Sequence, residues 1–203
     1  FYFLTDNSLY FNEPPDTIKK LKNQELILDR VSAVYEDNEG VIWFCVRSSE
    51  TGDIGLGRLQ TTISTPDKWD FRYYSHDPND VKSLSSNGVS SIYEDSHKNF
   101  WVGTWAGGLN LFDRETGHSR RYTNKPEDPF SLGQNHVYSI LEDSKKNLWV
   151  STDGGGLNLF NKKLNGFNRY MVEDNSYSIQ SNKITAIFEI NLVAVCLELL
   201  RLE

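Results

Sequence analysis

The side chains best equipped to act on a ligand are an indole, a carboxylate, an imidazole and two amides: Trp105, Asp153, His136, Asn87 and Asn135. A tryptophan beside Asn, Asp and His can stack on the apolar face of a sugar ring and hydrogen-bond its hydroxyls. The same tryptophan can instead cover a neighbouring repeat, and the residue types fit both uses. Trp105 and Asp153 draw notice because they hold equivalent positions in two largely matching stretches, 99–112 and 147–160. Most of their neighbours repeat and they do not.

Other groupings with chemical potential lead elsewhere. Gly107-Gly108 and Gly155-Gly156 look like phosphate cradles, but each joins two strand-like runs and no helix N-terminus follows to supply the anion field. They are turn glycines, placed where φ is positive or backbones approach. The acidic turns 95–99 and 143–147 lack the alternating oxygen ligands and distal Glu of a calcium loop, so hairpin chemistry is their expected use. His76, His97, His118 and His136 show no HxxxH or HxH spacing. Cys45 and Cys196 lie far apart without a CxxC or Cys/His pattern, so neither a zinc site nor a disulfide framework is indicated. No Ser/His/Asp order, cysteine nucleophile setting or carboxylate pair separates itself from the surface background. The sequence nominates no catalytic residue, no metal ligand and no cofactor.

The elements that position the candidate residues form a repeat. Glu36-Asp37, Glu94-Asp95 and Glu142-Asp143 are separated by 58 and 48 residues, and Trp43, Trp101 and Trp149 follow the same steps. Val31, Val89 and Val137 each precede that tryptophan by 12. One unit runs from Val137 through a polar turn at 143–147, a second run with Trp149, a Gly turn, a third run at 157–160 and a fourth at 167–170. These are four short antiparallel strands. Such a unit recurring every 40–50 residues or so is a propeller blade, and the fold class is all-β: a partial β-propeller of four-stranded antiparallel blades, about three full blades plus incomplete ends.

Boundaries follow from the period. Residues 1–30 are the end of an incomplete blade, with Tyr2 at the tryptophan position; 31–82 are a blade whose ten extra residues are expected in loops, around 48–52 and 61–67. Residues 83–130 and 131–178 are blades, and 179–189 start a further one. Residues 190–203 lack the Asp turn and the Trp, and a shifted reading frame explains this atypical tail better than a native end. The apolar run 184–200, interrupted by Glu189, Asn191 and Glu198, is too short and polar for a membrane span. Trp43, Trp101 and Trp149 are the structural anchors, packing between neighbouring blades. Because alternate loops of a blade emerge on one face, the Gly turn shares a rim with the connections 83–87 and 131–136. That rim gathers Trp105, Asp153, Asn87, Asn135 and His136.

Composition agrees with a soluble globular protein: 38% hydrophobic, 13% aromatic and 24% charged in 203 residues. A net charge of −7, with no Lys/Arg run longer than two, argues against nucleic acid as a partner. Met171 is the only methionine and Phe1 already lies in a strand-like run, so the chain reads as a piece of a longer one.

The pattern Ser-Leu-x-x-Asn-x-Val-x-x-Ile-x-Glu-Asp-Ser-x-x-Asn-x-Trp-Val-x-Thr-x-x-Gly-Gly-Leu-Asn-Leu-Phe, clearest at 83–112, repeated at 131–160 and looser at 32–59, resembles the two-component regulator propeller repeat. The resemblance implies a seven-bladed propeller in the sensor region of a hybrid two-component protein, commonly of gut and environmental Bacteroidetes. It further implies a periplasmic, carbohydrate-sensing domain whose parent continues into a membrane span, a histidine kinase and regulator domains. The expected partners are an oligosaccharide and the remaining blades and kinase domains. Fewer than four blades cannot close a ring, so self-association through open blade edges is also expected. The leading function is a non-catalytic ligand-sensing fragment of a two-component signalling protein. Two rivals stand beside it: a propeller enzyme acting on polysaccharide, which needs a carboxylate pair or a His/Tyr/Arg cluster on the axis, and a protein-interaction scaffold.

Overall fold

The computed structural model describes residues 2–5, 8–13, 17–20, 30–48, 52–61, 69–172, 178–190 and 194–197. Among them there are strands and turns but no helix, and so none long and apolar enough to cross a membrane. The chain divides into two compact units, 1–75 and 76–203.

The first unit holds two sheets. Strands β1 (Tyr2–Thr5), β2 (Ser8–Glu13) and β3 (Thr17–Lys20) pair in chain order, as do β4 (Arg30–Glu36), β5 (Ile42–Ser48), β6 (Gly52–Thr61) and β7 (Trp69–Tyr74). The extra residues of this blade do not all sit in loops. Cys45 lies opposite Leu56, and beyond a bulge at Val46/Arg47 the ladder continues with Arg47 opposite Asp53 and Ser48 opposite Gly52. The insertion lengthens both arms of the hairpin, so the added backbone groups pair with each other. Residues 49–51 and 62–67, the rest of the expected loops, lie outside the described residues.

The first blade also solves its core differently. Phe44 faces Gly57, and a Cβ on that glycine would run into the phenyl ring. At the matching pairs of the later blades stand Val102 with Asn110 and Val150 with Asn158. A large ring with no partner side chain replaces two medium side chains, conserving volume.

The second unit holds β8 (Val89–Glu94), β9 (Phe100–Thr104), β10 (Leu109–Phe112) and β11 (Ser119–Tyr122), then β12 (Val137–Glu142), β13 (Leu148–Thr152), β14 (Leu157–Asn161) and β15 (Gly166–Tyr170). Each foursome is an antiparallel meander, and β16 (Ile187–Ile190) pairs with β17 (Ala194–Leu197). Within the stretch read as a tail, 194–197 is therefore a strand, while 191–193 and 198–203 lie outside the described residues. The two full sheets pack face to face around Trp101, Leu109, Tyr122, Leu132, Val137, Ile140, Leu148, Val150 and Phe167. Trp101 reaches across to Phe160 of the next sheet, ring centroids 5.2 Å apart. A smaller cluster of Leu157, Ile184 and Ile187, with half-buried Trp149 against it, continues the stack toward β16.

Each anchoring tryptophan is tied to its own Asp turn. The indole N–H donates to the carboxylate six residues before it: Trp43 to Asp37 at 2.8 Å, Trp101 to Asp95 at 2.9 Å, Trp149 to Asp143 at 2.8 Å. The same carboxylates accept turn amides, so one side chain closes the hairpin and fixes the core ring. Adjacent repeats are clipped together beside these turns. Glu142 accepts from the backbone N–H and hydroxyl of Ser96, and Glu189 accepts from the backbone N–H of Ser144.

The outer strands of the two full sheets are not left open. The Ser119 amide donates to the carbonyl of Lys82 and the Phe167 amide to that of Phe130, so the connection entering each blade lies along its last strand. Arg121 and Arg169 fasten those connections by donating to the Ser83 and Ser131 carbonyls and hydroxyls. Each of β11 and β15 thus has a backbone partner at its outer edge, where an unpaired strand would otherwise offer its groups to another chain.

Candidate functional site

The site is built on the Gly turn between β9 and β10. Thr104 closes it: its amide and hydroxyl both donate to the Gly108 carbonyl, and its Oγ1 accepts from the Gly107 amide. Gly108 has φ +81°, a conformation costly for other residues, and a Cβ there would also strike the Tyr122 carbonyl. This tight reversal holds Trp105 outward, with its amide bonded to the Gly88 carbonyl and 42% of its surface exposed.

The connection 131–136 docks onto that turn. The Asn135 carbonyl accepts from the Gly108 amide, while its Oδ1 accepts from the Asn124 amide at 2.6 Å. His136 is thereby set edge-to-face with Trp105, ring centroids 4.4 Å apart, and Tyr138 lies 5.6 Å from the same indole. Tyr138 donates to Asp153 Oδ2 at 3.3 Å, and His136 Nδ1 lies 3.9 Å from that oxygen. Lys183 completes the row, with Nζ 3.7 Å from Asp153 Oδ1 and 5.8 Å from the Tyr138 ring centre. Hydrogen bonding to Tyr138 and the charge of Asp153 raise the Lys183 pKa above its ordinary value, keeping it a cation. Trp105, Ala106, Gln134, Asn135, His136 and Asp153 line an open cleft of about 390 Å³.

Four of the five candidate residues thus meet at one place. Asn87 does not: it holds the position of Asn135 one repeat earlier, where its Oδ1 accepts from the His76 amide at 2.6 Å. Its use there is to join the end of one repeat to the start of the next.

A second cluster lies beside the Asp turns, where ligand atoms of Asp95, His97 and Glu142 fall within 4.8 Å of one another. Asp95 already accepts four hydrogen bonds, from the His97 and Asn99 amides, the Asn99 side chain and the Trp101 indole. Glu142 is engaged by Ser96. With its oxygens committed, the cluster fits a turn and a clip rather than a cation.

The family model described as "Two component regulator propeller" matches residues 83–106 and 131–154, the two stretches that carry Trp105 and Asp153. Those two stretches are two-component regulator propeller repeats. Among curated protein sequences none matches it. Similar solved structures include the extracellular domain of a putative one-component system from B. thetaiotaomicron, at 18% identity and a TM-score of 0.70, covering 97% of this chain and 24% of that one. The extracellular domain of a putative hybrid two-component system from the same organism matches at 20% identity and a TM-score of 0.53, covering 95% and 32%. Virginiamycin B lyase from Staphylococcus aureus matches at 14% identity and a TM-score of 0.60, covering 95% and 56%. The chain therefore spans about a quarter to a half of these structures, and at such identities they show the fold.

Two members of the row, Tyr138 and Lys183, were not among the sequence candidates. Aligning the propeller repeats shows the signal: Gly88, His136 and Lys183 share a position after the repeated Asn, and Ser90, Tyr138 and Thr185 share another. Both vary among the repeats, as the Trp105/Asp153 position does.

Proposed function

We propose that this chain is a non-catalytic, ligand-sensing part of a propeller in the extracytoplasmic, periplasmic sensor region of a two-component signalling protein, that its ligand is a carbohydrate, and that the parent relays binding to histidine kinase domains. The repeats support the signalling context. The observation that carries the ligand reading is the cleft beside Trp105, where a half-exposed indole stands next to a carboxylate and two side-chain amides. Such a surface offers stacking to the C–H face of a pyranose and both donors and acceptors to its hydroxyls. Catalysis of polysaccharide cleavage has less support. The Tyr138 hydroxyl donates a hydrogen bond to Asp153, Lys183 is held as a cation, and Asp153 is the one carboxylate lining the cleft among the described residues.

The test is a panel of oligosaccharides offered to the parent protein and its Trp105→Ala variant. Binding that weakens about fivefold or more in the variant supports the site, taking stacking as worth about 1 kcal/mol or more. Release of cleaved sugar by the chain would establish the enzyme reading instead, and a blank panel with a stable protein partner in pulldown would favour the scaffold.

A further inference from the structure

We infer that the Trp105 cleft selects neutral sugars and turns away acidic ones, such as uronates and sulfated sugars. This rests on the saccharide reading of the cleft and on how charge is laid out around it. Asp153 lines the cleft, whereas Lys183 does not; the ammonium lies 3.7 Å from Oδ1, while Oδ2 is the atom near Tyr138 and His136. The pair is neutral as a whole, and of its two members the carboxylate is the one in the lining. An anionic substituent held by the lining amides would stand closer to Asp153 than to the cation that neutralises it.

The polar groups of the lining suit hydroxyls. Gln134 Oε1 accepts from the Asn135 amide at 2.7 Å and Asn135 Oδ1 from the Asn124 amide at 2.6 Å. With both carbonyl ends used by backbone, the amides have N–H groups left to offer. A sugar hydroxyl can accept from one of them and donate to Asp153, using both of its capacities. A carboxylate or sulfate has no proton for Asp153. It would leave that acceptor facing a second anion.

The experiment is calorimetric titration of the parent protein, at pH 8 and low salt, with neutral oligosaccharides and their uronate counterparts of identical linkage. The neutral member is expected to bind at least about tenfold tighter. Asp153→Asn should narrow that ratio by about tenfold, and Lys183→Met, which leaves the carboxylate uncompensated, should widen it. A uronate that binds as tightly as its neutral partner overturns the inference while leaving the saccharide site standing, as does a ratio unmoved by both variants. If no member of either set binds, or if binding is indifferent to Trp105→Ala, the saccharide reading fails and the inference with it.

Discussion

Trp101 and Trp105 are four residues apart, chemically identical and put to opposite uses. Trp101 is 2% exposed, hydrogen-bonded to Asp95 and packed on Tyr122 and Phe160; Trp105 is 42% exposed and touches rings only along the rim. Truncating Trp101 to Ala is expected to cost about 3–5 kcal/mol of unfolding free energy, as for a large buried aromatic. Trp105→Ala should cost only about 0.5–1.5 kcal/mol, the worth of its aromatic contacts. Urea denaturation of the two variants decides the matter, because losses of equal size would mean that Trp105 is part of the packing. The anchors were legible in the sequence since a large aromatic at a fixed distance from a repeated valine has few other uses. The Asp-to-indole bond was not, because an aspartate opening a hairpin reads equally well as a plain turn residue. Lys183 escaped notice because its partner Asp153 lies 30 residues away and only the blade geometry joins them.

At the scale of the element, the Asp hairpin shows the same turn made with different residues. Its fourth position has φ +76° at Gly40, +65° at Lys98 and +66° at Lys146. The left-handed region costs an L-residue with a Cβ roughly 1 kcal/mol or more. Lys98→Gly and Lys146→Gly should therefore each raise stability by about 0.5–1 kcal/mol, after the greater freedom of glycine in the unfolded chain is counted. The Gly turns give a contrast. Gly154 has φ +84° with nothing within 4 Å of an added Cβ, whereas Gly156 has φ +67° and a Cβ there would collide with the Tyr170 carbonyl. Thermal denaturation should find Gly156→Ala worse than Gly154→Ala by about 1–3 kcal/mol. Matching losses would mean that conformation alone, and not the close approach, sets the demand. The strands of these hairpins could be read from alternation and turn chemistry. The lengthened β5–β6 arm could not, since extra residues between two strands look the same in sequence whether they pair or loop out.

Across the molecule, the repeated carboxylates tie stability to pH. Burial alone would raise the pKa of Asp95, but hydrogen bonds from Trp101, Asn99 and His97 outweigh it and hold the group below its ordinary 3.8. Asp143 follows the same balance, with burial opposed by Trp149, Asn147 and Lys145. A carboxylate whose pKa is lower folded than unfolded stabilises the fold above the unfolded value, and that contribution disappears as pH falls through the folded one. Both staples therefore hold at neutral pH and fail together below pH 3.8. Their failure reaches beyond each hairpin, because Trp101 packs on Phe160 of the next blade and Trp149 lies against Ile184 and Ile187. In a stack whose stability resides in nearest-neighbour interfaces, loosening two successive anchors undoes the interfaces they share. Urea-unfolding free energies measured from pH 7 to pH 2.5 should stay level with respect to these groups down to about pH 5, then fall. Asp95→Ala should lower stability at pH 7 by about 2–4 kcal/mol, since it orphans the buried indole donor and turn amides. It should also flatten the acid limb by up to about 1.4 kcal/mol per pH unit, one proton's worth. A variant as steep below pH 3.8 as the parent would show that the acid sensitivity belongs to other carboxylates.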